Sequence, residues 1–100
     1  MDSILQGKKE CWMCRKVLKK EEKYTLECHH VFFGTANRKL SEKYGLKVWL
    51  CHRHHTGSDL AVHASKKADL LLKRFAQKEF ESIHGRQEFM NIFGKNWLED

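Results

Sequence analysis

The stretch CHRHHTG, from Cys51 to Gly57, places one cysteine and three histidines within seven residues. Thiolate and imidazole groups are the ligands that zinc prefers in proteins, but one ion cannot use four ligands from so short a segment. The segment therefore predicts a metal-binding turn whose side chains are divided between more than one task. Which of them hold the fold and which do chemistry depends on the remaining Cys and His residues of the chain.

A first set of ligands follows from spacing. The motif CWMC supplies Cys11 and Cys14 as C-x-x-C, and Cys51 with His54 forms C-x-x-H further along the chain. Two such knuckles give the closed tetrahedral set of a structural zinc site, and these four residues are its predicted ligands. The alternative is that they are ordinary buried cysteines. Cys28 is the rival ligand, although its place in a strand pattern favours a buried structural thiol.

Length and composition restrict the setting. A chain of 100 residues is expected to form one domain with a modest core, which a bound metal would help to stabilise. No stretch has the apolar length of a signal peptide or a membrane span, so a cytosolic location with reduced cysteines is expected. The 19 Lys and Arg exceed the 13 Asp and Glu, for a net charge of +6. That balance favours a polyanionic partner such as nucleic acid.

Strand patterns occupy the centre of the chain. Residues 23–30, KYTLECHH, alternate apolar and polar side chains, and residues 46–51, LKVWLC, are apolar and rich in strand-forming types. Between them, residues 36–45 predict a short helix or a structured loop that ends at Gly45.

The C-terminal third predicts helices. Ser65 is a plausible N-cap of a helix that ends at Gly85, and residues 86–93 predict a shorter helix closed by Gly94. The lysines of the longer helix are interpreted as a solvated face. The apolar residues at helical spacing, which are expected to pack in the core, are Leu71, Leu72, Phe75, Ala76, Phe80 and Ile83.

Four histidines remain near the predicted zinc site: His29, His30, His55 and His63. Adjacent residues of a strand point to opposite faces, so His29 and His30 cannot both bind one ion from regular strand geometry. At the end of a strand, however, one of them can bind an ion while its neighbour stands beside a substrate. Metal-assisted hydrolysis of a phosphodiester needs that division, with one group as general base and an ion that stabilises the phosphorus centre.

The segments ECHHVFFG, NRKLSEKYGLKVWLCHRHHTG and VH resemble the HNH endonucleases of the His-Me finger (ββα-metal) superfamily, above all the small zinc-containing HNH proteins of phages and prophages. The resemblance extends from Cys11 through EFMNIFGKNWL. It implies an α+β fold, a small zinc-stabilised ββα-metal domain with C-terminal helices. The whole chain, 1–100, is then one HNH nuclease domain, with knuckles and ββα-metal core over about 8–63 and helices over about 64–98.

The resemblance also implies roles for the histidines. In this family a strand ends in a pair whose first member binds the catalytic metal and whose second is the general base, which gives His29 and His30 these roles. The closing histidine of the family corresponds to His55, a second ligand of the catalytic metal. His63 is either a third ligand, brought in by a returning loop, or a surface or core histidine. Asp59 is a weaker candidate ligand.

One position departs from the family. HNH proteins commonly carry an Asn about nine residues before the closing histidine, where it pins the loop between the two strands. Leu46 occupies that position here, and Asn37 is the nearest alternative. His52 is left over, either exposed or in contact with a phosphate.

Basic residues flank the predicted catalytic strands, where they would neutralise backbone phosphates without reading sequence. Alternatively, Glu42 pairs with Arg38 or Lys39 and these charges only decorate a surface. The predicted DNA phosphate contacts are Arg38, Lys39, Lys43, Lys47 and Arg53.

The resemblance implies a metal-dependent DNA endonuclease that hydrolyses phosphodiester bonds, with weak sequence preference, and that nicks one strand. Structural Zn²⁺ and catalytic Mg²⁺ or Mn²⁺ are the implied cofactors, and Zn²⁺ or Ni²⁺ also fits an imidazole-rich catalytic site. The implied setting is the cytoplasm of a bacterial host, with other phage DNA-processing proteins as partners. The alternatives are a non-catalytic zinc-stabilised nucleic-acid-binding module and a zinc-knuckle adaptor for proteins. The extra histidines favour the enzyme.

Overall fold

A two-stranded antiparallel sheet forms the centre of the fold in the computed structural model, which describes residues 2–19 and 25–98. Strand β1 spans Leu26–His30 and strand β2 spans Lys47–Cys51. Both predicted strands are confirmed, although residues 23 and 24 of the first prediction lie outside the described residues. The predicted α+β class is confirmed as a small antiparallel sheet with helices.

Helices surround this hairpin and follow it. The predicted helix after Ser65 is confirmed, and the Ser65 side chain caps it by accepting a hydrogen bond from the Ala68 amide at 3.2 Å. None of the described helices is both long and apolar enough to cross a membrane. A short π-helical turn, Met13–Val17, includes the end of the CWMC motif, and the α-helices are α1 (Thr35–Tyr44), α2 (His52–His55), α3 (Lys66–His84) and α4 (Arg86–Phe93).

The register of the sheet decides which strand residues face the core. Residues directly opposite each other share a face, so His29 and Val48 form one pair and Cys28 and Trp49 another. His29 and Val48 are buried, whereas Cys28 is exposed. The prediction that Cys28 is a buried structural thiol is therefore wrong, because the core lies on the other face of β1.

The core lies between the sheet and α3. Leu72, Ala76 and Phe80 are fully buried along one stripe of α3, as predicted. Leu71 and Ile83, also predicted to be core residues, are 46% and 60% exposed. Leu71 lies about 100° around the helix from Leu72, and Ile83 lies beyond Phe80, where the core ends. The aromatic rings that close this end of the core are Phe32, Phe80, Phe89, Phe93 and Trp97.

Gly45 joins α1 to β2 and to the N-terminal arm, residues 2–10. It has a φ of +72°, and its carbonyl accepts a hydrogen bond from the Ile4 amide at 2.9 Å. A Cβ at this position would collide with the Asp2 carbonyl oxygen. Glycine is therefore required both by the left-handed backbone and by the close approach of the arm.

We expect Gly45→Ala to destabilise the protein more than Gly94→Ala. Both glycines have φ of +72°, but a Cβ at Gly94 would meet open space. Gly94→Ala should cost only the left-handed penalty of about 1–2 kcal/mol, and Gly45→Ala should add the clash with the arm. Urea unfolding of both variants at equal zinc content measures the difference. Equal free energies of unfolding would contradict the close packing of the arm.

Candidate metal centres

The first centre is a buried cluster of Cys11, Cys14, Cys51 and His54, whose sulfur and ring-nitrogen atoms all lie within 4.8 Å of one another. The sulfurs of Cys14 and Cys51 are 3.9 Å apart, and His54 Nδ1 lies 3.2 Å from Cys51 and 3.4 Å from Cys14. A tetrahedral ion with metal–sulfur bonds of about 2.3 Å and metal–nitrogen bonds of about 2.0–2.1 Å separates its ligand atoms by roughly 3.3–3.8 Å. The cluster therefore has the size and ligand set to bind a metal ion such as zinc.

Local structure explains how two distant segments meet there. Cys11 and Cys14 flank the start of the π-helical turn, and the Cys14 amide lies 3.4 Å from Cys11 Sγ as a hydrogen-bond donor. Cys51 ends β2 and precedes α2, which carries His54 one turn later. The structure thus brings together the four residues predicted as zinc ligands, and it leaves Cys28 on the exposed face of the sheet.

Burial raises the pKa values of two thiols in this cluster. Burial, followed by the neighbouring Cys11, raises the pKa of Cys14 to about 12, and burial likewise raises the pKa of Cys51. Zinc binds thiolates, so an ion that enters the cluster displaces protons, and its affinity falls as the pH falls.

The second centre consists of His29, His55 and His63, whose ring nitrogens also lie within 4.8 Å of one another. The Nε2 atoms of His55 and His63 are 3.2 Å apart, close to the separation of two imidazole ligands on one ion. His29 is only 1% exposed, and its Nε2 has no hydrogen-bond partner among the described residues. A buried polar atom without a partner is costly, and a shared cation would satisfy it.

Three different elements supply these rings. His29 points inward from β1, and His55 is the last residue of α2. The chain then turns back, so that the Val62 amide donates to the His54 carbonyl at 2.8 Å and the His63 amide to the His55 carbonyl at 3.3 Å. This returning loop is what brings His63 to the centre.

Asp59, the weaker candidate ligand, lies on the same loop but points elsewhere. It is exposed and does not belong to either group of potential ligands. Asp59 would share a face with His55 only if α2 continued, whereas α2 ends at His55 and a turn follows.

Burial, followed by the positive charges of His63 and His55, lowers the pKa of His29 to about 3. Burial also lowers the pKa of His63. His29 is therefore a neutral imidazole over the physiological range, which is the form that binds metal ions.

Glu27 orients the second centre, and the sequence analysis missed it. Its Oε1 lies 2.8 Å from His55 Nδ1, and its Oε2 lies 3.1 Å from His52 Nδ1. The hydrogen bonds from His55 and then His52 hold the pKa of Glu27 below its usual value. An ionised carboxylate only accepts, so His55 Nδ1 carries the proton and Nε2 presents its lone pair. Glu27 precedes His29 by two residues and shares its strand face, which is the signal that could have identified it.

An aromatic ring and a lysine cover the second centre from the side of α3. The Phe33 ring lies 5.0 Å from the His63 ring and 5.9 Å from the His29 ring, centroid to centroid. Lys73 Nζ stands 4.2 Å over Phe33 and pairs with Asp69 at 2.8 Å. The Lys73 side chain is only 13% exposed, so this lysine does not belong to a solvated face.

His30 lies outside the group formed by the other three histidines. It ends β1 opposite Lys47, on the face away from His29, and its Nε2 is 2.9 Å from Glu42 Oε1. Hydrogen bonds from Lys47, at 2.7 Å, and then from His30 lower the pKa of Glu42 to about 2. Glu42 is therefore an acceptor, His30 Nε2 is the donor, and His30 Nδ1 is left to accept a proton.

A groove of about 600 Å³ opens beside His30 and Glu42, lined also by Thr35, Arg38 and Lys39. The suggested pairing of Glu42 with Arg38 or Lys39 is not what the structure has, because Glu42 contacts His30 and Lys47. Of the remaining predicted phosphate contacts, Lys43 is exposed on α1 beside the Tyr44 ring and Arg53 is exposed on α2, outside this groove.

Ser41 fastens the segment that follows β1. Its hydroxyl donates to the Phe32 carbonyl at 2.7 Å and accepts from the Phe32 amide at 3.1 Å, fully buried. Leu46 is fully buried in the core, and Asn37 is half-buried on α1.

No protein-family model, curated protein or solved structure matches this chain.

We expect the protein to bind two Co²⁺ ions, one of them with the absorption bands of thiolate ligation. His63→Ala should lose one equivalent and keep the thiolate bands, because its ring belongs only to the second centre. Cys14→Ser should lose both those bands and the folded state. In zinc-finger peptides the binding of structural zinc contributes an apparent free energy of about 10–16 kcal/mol to folding. His84→Gln, a change at a histidine that pairs with Glu88 outside both centres, is the control. Two equivalents retained by His63→Ala would contradict the three-histidine centre.

We expect Glu27→Gln to weaken metal binding at the second centre by about 10–100-fold, the usual cost of removing an orienting carboxylate. Titration calorimetry with Zn²⁺ on protein already loaded at the first centre measures this. Glu88→Gln is the matched control, because it removes a carboxylate that contacts His84 at 3.6 Å, remote from both centres. Equal Zn²⁺ affinities of the two variants would contradict a role for Glu27 in orienting the second centre.

Proposed function

We propose that this chain is a metal-dependent DNA endonuclease of the HNH type, which hydrolyses phosphodiester bonds through a ββα-metal site. The observation that carries the proposal is the buried His29 Nε2, which has no partner among the described residues and faces His55 and His63. Without a cation shared with the other two imidazoles, this buried nitrogen would stay unsatisfied, at a cost to stability. The order of β1, β2 and α2 along the chain, with His29 on β1 and His55 on α2, supports the same conclusion.

The two centres are proposed to differ in purpose. The Cys₃His cluster has four protein ligands and is buried, so it is assigned a structural Zn²⁺. Among the described residues the second centre has three protein ligands, and it is partly open since His63 is exposed, as a catalytic ion requires. An all-imidazole set favours Zn²⁺ or Ni²⁺, whereas Mg²⁺ and Mn²⁺ are better matched by carboxylates and water. Mg²⁺ demands near-ideal octahedral oxygen ligation and loses its water reluctantly, so of the two proposed working ions Mn²⁺ fits three imidazoles better.

In the proposed reaction His30 is the general base. Its Nδ1 takes the proton of a water molecule as the water oxygen attacks phosphorus, and the bond from phosphorus to the 3′ oxygen breaks. Glu42 holds the Nε2 proton of His30 through the 2.9 Å hydrogen bond, and so fixes the tautomer that the base needs. When bound at the second centre, a divalent ion supplies electrostatic stabilisation of the phosphorus centre and of the leaving oxygen. The 3′ oxygen takes its proton from solvent, which leaves 5′-phosphate and 3′-hydroxyl ends.

Arg38 and Lys39, in the groove beside His30, are assigned the phosphates next to the cleaved bond. Such contacts position the duplex and carry no sequence information, so weak sequence preference and nicking are proposed. Ser41 is assigned the task of the family's Asn, because its two hydrogen bonds to Phe32 pin the start of the connection between the strands.

One observation favours the non-catalytic alternative, a zinc-stabilised nucleic-acid-binding module. His30 lies opposite Lys47 in the sheet register, on the face away from His29. The proposed general base and the proposed metal ligand therefore do not project from the same surface of the sheet. The enzyme requires the scissile phosphate to lie at the end of β1, where His30 is the last strand residue and both faces are within reach.

We expect the wild-type protein to convert supercoiled plasmid to the open-circle form with Mn²⁺, and His30→Ala to do so about 10²–10⁴-fold more slowly because a general base is lost. His84→Gln, a histidine change outside the site, should cut at the wild-type rate. Zinc content and thermal unfolding establish that each variant is folded. If no variant, wild type included, cuts with Mn²⁺, Mg²⁺, Zn²⁺ or Ni²⁺ while all bind the plasmid, the binding module replaces the enzyme as the conclusion.

A further inference from the structure

A second groove, of about 590 Å³, lies on the outer face of the hairpin and is separate from the groove of Arg38 and Lys39. One wall is the sheet, where Cys28 faces Trp49 across the strands. The other wall is the N-terminal arm. Neither the proposed metal centres nor the general base uses this groove, although Lys47 lines it and pairs with Glu42.

The arm is held firmly along β2. The Ser3 hydroxyl donates to the Lys47 carbonyl at 2.5 Å, and the Trp49 amide donates to Gln6 Oε1 at 2.8 Å. The backbone of Trp49 is therefore fixed, while its indole ring is half-buried at the floor of the groove. An aromatic ring in the lining of an open groove presents a flat apolar surface to a ligand.

The groove is basic. Lys8 and Lys9 are exposed on the arm, against one carboxylate in the lining, Asp2, and the third ammonium group, that of Lys47, is paired with Glu42. Lys9 Nζ lies 4.4 Å from the centroid of the Trp49 ring. Positive charge beside an accessible aromatic ring such as the half-buried Trp49 is the combination that binds single-stranded nucleic acid, in which bases stack and phosphates pair with cations.

We propose that this groove binds an unpaired segment of nucleic acid, with one base stacked on Trp49 and the flanking phosphates held by Lys8 and Lys9. A duplex cannot offer a base face to Trp49, so the ligand is single-stranded. Stacking of a base on an aromatic ring is stronger than the contact of an exposed lysine with the same ring. A base therefore displaces the Lys9 ammonium from Trp49, and Lys9 is then available to a phosphate.

The register connects this groove to the proposed base. His30 and Lys47 form the cross-strand pair two residues along from Cys28 and Trp49 on the same face, about 7 Å away at strand spacing. A strand that leaves Trp49 in this direction passes His30. The inference rests on the proposed function only in taking nucleic acid as the partner, and it gives that enzyme a preference for DNA with an unpaired stretch beside the cut.

Cys28 provides a probe in the unaltered protein. It is exposed in the groove opposite Trp49, whereas the other three cysteines are buried in the first centre. The rate of its modification by N-ethylmaleimide, an uncharged reagent, is measured with a twelve-nucleotide oligothymidine and with a duplex of equal length, in zinc-loaded protein without added Mg²⁺ or Mn²⁺. We expect the single strand to slow the modification several-fold and the duplex to have little effect.

Substitutions test the two parts of the groove. Trp49→Ala should abolish the protection of Cys28, and Trp49→Phe should retain most of it. Lys8→Gln with Lys9→Gln should flatten the slope of log affinity against log salt by about 1.4, since each phosphate contact to a single strand contributes about 0.7. Lys66→Gln with Lys67→Gln, an equal loss of charge on the exposed start of α3, should leave the protection of Cys28 unchanged.

The outcomes separate this inference from the nuclease. If the single strand protects Cys28 but the protein cleaves no plasmid with any ion, the binding groove is supported and the proposed nuclease activity is overturned. If cleavage depends on His30 but bound oligothymidine leaves Cys28 unprotected, the nuclease is supported and the binding groove is overturned. Equal protection by duplex and single strand, or an effect of the Lys66 and Lys67 substitutions as large as that of Lys8 and Lys9, also overturns it.

Discussion

Closure of the Cys₃His cluster is the constraint on which the other features of this molecule depend. A sheet of only two strands is marginally stable alone, and α2, with four residues, is too short to persist as an isolated helix. Cys51 directly precedes α2 and His54 is the third residue of α2. Both are held against the knuckle of Cys11 and Cys14, so the cluster fixes the position of this short helix. Because His55 follows His54 directly, the cluster also determines where the His55 ring points. The crowding of CHRHHTG thus has a physical reason, since neighbouring positions on one helical turn face two different centres.

Two carboxylates then determine which nitrogen of each key imidazole is available. Glu27 accepts from His55 Nδ1 and Glu42 accepts from His30 Nε2, so the nitrogen that presents its lone pair is Nε2 in the first ring and Nδ1 in the second. Both carboxylates have lowered pKa values because hydrogen bonds favour their charged forms. Each is also shared with a further cation or imidazole, Lys47 for Glu42 and His52 for Glu27. The same device, a hydrogen bond to an ionised carboxylate, thus orients the ring of a proposed metal ligand, His55 on α2, and the ring of the proposed general base, His30 on β1.

The sequence predicted those features that local chemistry controls. Ligand spacing identified the Cys₃His cluster, and capping residues such as Ser65 and Gly94 marked helix boundaries, because each depends on a few neighbouring residues. Features that depend on register or on distant segments were missed or wrong. Cys28 was assigned to the core because alternation alone does not say which face of a strand is buried. Glu42 was not assigned to His30, twelve residues away, because only the packing of α1 against β1 brings them together.

The difference between the two centres in ligand number and burial argues for different roles without reference to any family. The first has four protein ligands, all buried, so an ion there has no position left for a substrate and contributes to folding. The second offers three imidazoles, one buried, one 18% exposed and one exposed, which leaves a coordination position on the solvent side. An ion that stabilises only the folded state adds RT ln(1 + [L]/Kd), about 2.7 kcal/mol at a hundred times Kd. A second ion held for stability alone would be expected to have the closed, buried ligand set of the first. The exposed side of the second centre, where His63 lies, is better explained by a ligand that comes and goes.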